Sequence, residues 1–241
     1  LPLLITTLTF GYLAFHKPPE EIVYAEIISA PGLVSRFELP DKSKVWLNSN
    51  ATLRYPVRFD KRKREVELTG EGYFEVRSDK EHPFYVNTPA GVKIMAHGTQ
   101  FNVHAERKIT ETILAEGKVT MLYKEQSLKE LNQGEQASYH NETGRLITKE
   151  VNLYEKLAWK DGKIIFRNAP LNEVFEQLSK RYNVDIVLYD DYKQSDRYLS
   201  RVTFTDETIQ QIFSYLQIAA PIEWKVSTPV KNQDSTLTRQ K

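Results

Sequence analysis

The chain has 241 residues, enough for one large domain or two modest ones. Its 33 Lys and Arg balance 32 Asp and Glu to a formal charge of +1, so no global field gathers polyanions, which argues against a general nucleic-acid binder. Cys is absent, which removes disulfide scaffolds, thiolate metal sites and Cys nucleophiles, while 40% hydrophobic residues suffice for a packed core.

Leu1 to Phe15 carries no charged side chain and runs into His16, Lys17, Pro18 and Pro19. A bilayer-spanning helix takes about 20 apolar residues, and a secretory signal would show a basic start and a small-residue cleavage site. Residues 1–16 are therefore expected to be the outer part of a single transmembrane helix that begins upstream, the alternative being a buried helix or strand. Residues 17–32 are expected to form a linker, opened by the stiff Lys17-Pro18-Pro19-Glu20-Glu21.

Over residues 33–150 apolar side chains recur with a period of two, as in Val45 to Leu47, Val66 and Leu68, Val92 to Met95, Phe101 to Val103, Thr112 to Leu114 and Val119 to Leu122. Pro40-Asp41, Asn48 to Asn50, Gly70, Gly91, Gly98, Gly117, Gly134 and Gly144 punctuate these runs. Many short strands between close turn signals predict an all-β part, a jelly-roll-like antiparallel sandwich, with no helix inside it.

Residues 151–227 change pattern and contain an internal repeat. A shift of 38 positions lays Ile164 on Val202, Phe166 on Phe204, Leu171 on Ile209, Val174 on Ile212, Phe175 on Phe213 and Leu178 on Leu216. It continues with Val184, Ile186 and Leu188 on Ile222, Trp224 and Val226. Each copy reads as a strand, an amphipathic helix and a second strand, which predicts a small α+β domain of two β-α-β units with both helices on one face of a sheet. Pro170 suits a first helical turn and Pro221 closes the second helix. Residues 228–241 are polar and aperiodic, and a flexible tail is expected there.

Leu39-Pro40-Asp41-Lys42-Ser43-Lys44-Val45-Trp46-Leu47-Asn48, Gly70-Glu71-Gly72-Tyr73-Phe74-Glu75-Val76, Pro83-Phe84-Tyr85-Val86, Gly98-Thr99-Gln100-Phe101-Asn102-Val103 and Glu116-Gly117-Lys118-Val119 follow one another in the chain. Together they resemble the periplasmic part of FecR-type anti-sigma regulators. Trp159, Gly162, Phe166, Pro170-Leu171, Val174, Leu178 and Tyr182 are similar to that family's C-terminal domain in Bacteroidetes-type members. That domain is itself similar to the short N-terminal domain of secretins and TonB-dependent receptors.

The resemblance implies a single-pass inner-membrane signal transducer with residues 17–241 in the periplasm. The partners it implies are the signalling domain of an outer-membrane TonB-dependent receptor and, through a cytoplasmic segment upstream, an extracytoplasmic-function sigma factor. No cofactor, metal or nucleic acid is expected. An edge strand carrying Tyr198, Val202 and Phe204 is the candidate partner-binding element, because small β-α-β sheets leave edge amides and carbonyls unpaired.

Two departures from the family pattern bear on the site. The usual Pro-Asp-Gly-Ser turn is Pro40-Asp41-Lys42-Ser43 here, and Lys is costlier than Gly wherever φ is positive, a need that a type I turn avoids. An aliphatic residue usually precedes the Gly-Thr pair, where this chain has His97. Some relatives cut themselves at that bond by attack of the Thr hydroxyl on the preceding carbonyl, so Gly98 and Thr99 are candidates for self-cleavage. The favoured alternative is a tight turn running into a strand, since cleavage needs strain at the scissile peptide.

Other constellations are less specific. His97 and His104 are an odd number of residues apart, and a regular strand sends them to opposite faces, against joint metal ligation. Glu71 and Glu75 share a strand face at about 13 Å, too far for a glycosidase pair, and are expected to face solvent. Lys61-Arg62-Lys63-Arg64 reads as a solvated hairpin tip rather than a headgroup site. The rival function is a carbohydrate-binding module that stacks sugars on Trp46, Tyr55 and Tyr73. A hydrolase is least favoured, because no nucleophile, base and orienting group come together.

Overall fold

A computed structural model describes residues 22–60, 62–187, 198–205, 207–219 and 223–226. The alternating stretch folds into thirteen strands in two layers. One layer runs β1 (Tyr24–Ile28), β4 (Thr52–Pro56), β5 (Arg64–Glu75), β6 (Phe84–Asn87), β7 (Val92–Ala96), β10 (Val119–Tyr123) and β11 (Gln126–Leu131). The other runs β2 (Ser35–Glu38), β3 (Lys44–Leu47), β5 again, β8 (Gln100–Ala105), β9 (Ile109–Glu116), β12 (Glu135–His140) and β13 (Arg145–Glu150).

Strand order follows chain order in both layers, because the chain crosses to the other layer and back, so that β1 pairs with β4, β7 with β10 and β9 with β12. The all-β expectation for this stretch is met, and the sharing of β5 joins the two layers into one large sheet. All pairs in the layers are antiparallel except β5 with β6, which is parallel. Tyr24–Ile28, expected within the linker, is instead a strand paired with β4.

The long strand β5 belongs to both layers. Arg64 to Thr69 pairs with β4 and β6, and Gly70 to Glu75 pairs with β3 and β8. Gly70 makes the corner at φ +86°, where a Cβ would lie 2.8 Å from the Ala51 Cα, so a side chain does not fit. Between the layers Leu53, Val66, Val86, Ile94 and Met121 meet Val45, Phe74, Phe101, Leu114 and Ala137 in one buried core. Each large side chain there contributes about 1.5–3 kcal/mol by leaving water. Phe74 and Phe101 stack at its centre with ring centroids 5.3 Å apart.

Beyond the sandwich lie α1 (Leu153–Lys156), a 3₁₀ turn (Ala158–Asp161), β14 (Ile164–Pro170), α2 (Leu171–Tyr182), β15 (Tyr198–Phe204) and α3 (Ile209–Ala219). The strands pair antiparallel, from Ile164 opposite Phe204 to Pro170 opposite Tyr198. Ile164, Phe166 and Phe204 pack against Leu171, Val174, Phe175 and Leu178 of α2 and Ile212 and Leu216 of α3 in a second core.

The first strand and the helix of each repeat copy therefore form where expected. Among the described residues the second strands do not: 183–187 and 223–226 contain no strand, and Leu188 and Ile222 lie outside the described residues. At the end of α2 the reason is local. Asn183 turns left-handed at φ 51°, and the amides of Asn183 and Val184 both turn back to Ser179 O. The Val184 carbonyl accepts from Ser179 Oγ, so neither backbone group of Val184 is left for a ladder.

α1 and the 3₁₀ turn lie on the outer face of the second layer, where Leu153, Leu157 and Trp159 cover Trp46 and Tyr73. An ion pair from Glu155 to Arg167 at 2.9 Å ties α1 to β14, and Arg181 of α2 donates to Gly32 O at 2.9 Å. The expected transmembrane segment and tail lie outside the described residues, among which no helix is long and apolar enough to cross a membrane.

Candidate functional site

Gly98 and Thr99 sit at the corner where the chain leaves β7 in one layer and enters β8 in the other. The neighbouring backbone pins this corner: Asp79 N–H donates to His97 O at 2.7 Å and Val76 N–H to Thr99 O at 2.9 Å. Gly98 packs directly on Ser78, since a Cβ there would lie 2.7 Å from the Ser78 Cα. Thr99 is 4% exposed, and its hydroxyl donates to Lys118 O at 2.9 Å.

This geometry accounts for both residues structurally: glycine for close approach, threonine to bolt the β7–β8 corner to the β9–β10 corner. Cleavage would need a base for the Thr99 proton, and no carboxylate or imidazole hydrogen-bonds to that hydroxyl among the described residues. Around the corner Ser78, Lys80, His97, Gly98, Thr99, Gly117 and Lys118 line an open groove of about 440 Å³. Ser78, Lys80 and Lys118 escape sequence reasoning because they come from separate loops with no spacing signal.

The candidate edge strand is β15. Its partner is β14, and neither strand has a second strand partner among the described residues. Phe204, however, is 2% exposed and packs against Phe166, and Val202 is half-buried against the same core. Tyr198 is placed opposite Pro170. What β15 presents outward is backbone together with Arg201 and Thr203.

Other sequence expectations change. Trp46 and Tyr73 are 6% and 2% exposed beneath the α1 segment, and Tyr55 stacks on Phe37, so the three form no open sugar-stacking face. Burial, with Glu75, Asp161 and Glu116 nearby, pushes the Tyr73 hydroxyl up to about 12. Glu71 is half-buried rather than solvent-facing: its carboxylate accepts from Asn48 Nδ2 at 2.8 Å and Asn102 Nδ2 at 3.0 Å.

Arg64, the last residue of the basic run, is no part of an exposed tip. It is 4% exposed, and its guanidinium donates to Asp41 Oδ2 at 2.8 Å, His82 O at 2.9 Å and Arg77 O at 3.0 Å. His97 and His104 stand apart, the latter 3.0 Å from Glu106.

Residues 25–120 match the family model of the FecR protein, and residues 163–234 match that of FecR, C-terminal. Two crystal structures from Parabacteroides distasonis ATCC 8503, each described as a putative anti-sigma factor, are similar to this chain with TM-scores of 0.70 and 0.69. Their identities are 27% and 26%, and each comparison covers 85% of this chain and 95% of the other. A search of curated proteins finds no match. With the sandwich and the repeat module each claimed by its own family model, and together by an anti-sigma structure, the chain belongs to the FecR family of anti-sigma factors.

Proposed function

We propose that this chain is the periplasmic sensor part of a single-pass inner-membrane anti-sigma factor. It receives a signal from the signalling domain of an outer-membrane TonB-dependent receptor and controls an extracytoplasmic-function sigma factor through an upstream cytoplasmic segment. The sandwich and the repeat module are its two domains, and contact with the receptor is made by strand addition at β15. The observation that carries this reading is the two-stranded β14–β15 pair, whose backbone offers a template for another strand. Family membership supports the sigma-regulating role.

The test is co-purification of the 241-residue chain with an isolated receptor signalling domain from the same genome. The 241-residue chain retains the domain, and a variant lacking residues 159–227 loses it. Equal retention by both removes β15 as the docking element.

A further inference from the structure

We propose that the groove beside Gly98 is a binding site for a compact oxyanion, a carboxylate or phosphate group. Three chain segments build it: Ser78 and Lys80 follow β5, His97 to Thr99 join β7 to β8, and Gly117 and Lys118 join β9 to β10. Its volume of about 440 Å³ falls within the range of small-molecule sites.

Every ionisable side chain lining the groove is basic or an imidazole: Lys80, Lys118 and His97. The nearby carboxylates are already engaged. Asp79 accepts from the His82 ring at 2.8 Å and from the amides of Glu81 and His82 at 3.0 and 3.1 Å. Glu116 accepts from Gln100 Nε2 at 2.7 Å. Glu130 pairs with Lys118 at 2.7 Å, but both side chains are exposed, and such a pair opens readily for a competing anion. Lys80 has no ion-pair partner among the described residues.

The imidazole supplies the directional element. His97 Nδ1 is buried and has no hydrogen-bond partner, an arrangement proteins avoid unless something fills it. That nitrogen is shielded from solvent as the ring stands, so a small turn of the imidazole on binding brings its N–H to an oxyanion, while the ammonium groups of Lys80 and Lys118 supply charge.

The test is amide NMR of the 241-residue chain, titrated separately with inorganic phosphate and acetate at constant ionic strength. Saturating shifts are expected at Gly98, Thr99, Gly117 and Lys118 for at least one anion, with a dissociation constant of about 1–10 mM. Combining Lys80→Ala with His97→Gln should weaken binding about 5-fold or more, while Lys149→Ala on β13 leaves it unchanged. Saturation by phosphate alone or acetate alone supports the site and names its ligand class. Shifts that do not saturate, that chloride reproduces, or that survive the double variant overturn it. If His97→Gln does not fold, Lys80→Ala with Lys118→Ala carries the same comparison.

Discussion

Ile165 and Thr203 are equivalent positions of the 38-residue repeat and are paired directly opposite each other across β14 and β15. The two copies are thus related by an approximate two-fold axis through that pair, and repeat mates touch. Phe166 meets Phe204 with ring centroids 6.2 Å apart, and Phe175 meets Phe213 at 6.2 Å. Phe166→Ala and Phe204→Ala are each expected to cost about 3–5 kcal/mol. In a double-mutant cycle by urea unfolding they should couple by about 0.5–1.5 kcal/mol. Strict additivity would mean the rings do not share one core.

Arg64 makes a second sharp expectation. Its guanidinium and the Asp41 carboxylate are both largely buried, at 5% and 12% side-chain exposure. Arg64→Ala leaves Asp41 without its cation and should destabilise the sandwich by about 3–5 kcal/mol. Arg62→Ala, in the same basic run but exposed, should change stability by less than about 0.5 kcal/mol. Similar losses in both variants would contradict the buried placement of Arg64.

The β2–β3 turn carries removable strain. Lys42 N–H donates to Leu39 O at 2.9 Å, Asp41 keeps negative φ, and Lys42 itself sits at φ 74°. A type I turn followed by a left-handed residue therefore does need positive φ at the position where the family has Gly. Lys42→Gly should stabilise by about 0.5–1 kcal/mol, reduced by about 0.3 kcal/mol for the lost exposed pair with Glu38. Thermal unfolding reads the sign directly.

The Gly98–Thr99 bond is expected to stay whole. The purified chain should show one intact mass, unchanged by Thr99→Ala. Fragments divided between residues 98 and 99 in the unmodified chain, absent from Thr99→Ala, would sink this expectation. Gly98→Ala should destabilise markedly, because its methyl group would collide with Ser78.

Alkaline pH should act through Tyr73. Its hydroxyl donates to Gln100 Oε1 at 2.9 Å, and its pKa rises from 10.0 to about 12 on folding. The unfolded chain therefore releases this proton first. The contribution to stability is complete below pH 10.0 and disappears as pH climbs toward about 12. Tyr73→Phe should flatten that part of the stability profile and remove one late-titrating tyrosine from an ultraviolet titration. At the acid end, the hydrogen bond from His82 holds Asp79 below 3.8, so its contribution is present above that pH and fades below it, more weakly in Asp79→Asn.

Much of the architecture is legible because it rests on local periodicity. The alternation from Val45 to Leu122 marks strands that do form, and the coincidence of Phe166 with Phe204 marks two copies that do pair. What escapes is non-local. Nothing around Trp46 or Tyr73 tells that α1 will cover them, and nothing in the basic run marks Arg64 as a cation that turns inward toward Asp41, 23 residues earlier. The second strand after α2 fails for a reason only the folded backbone shows: Ser179 captures both polar groups of Val184. The groove is least legible, since its lining comes from three loops that the crossing between layers brings together.

That crossing also bears on how the molecule responds to load. Since one continuous backbone, Arg64 to Glu75, is stitched into both sheets, a pull on either layer is carried into the other through covalent bonds rather than through side-chain contacts. The sandwich should resist shear as a single girder and rupture in one step, which suits a body that conveys force or displacement without deforming.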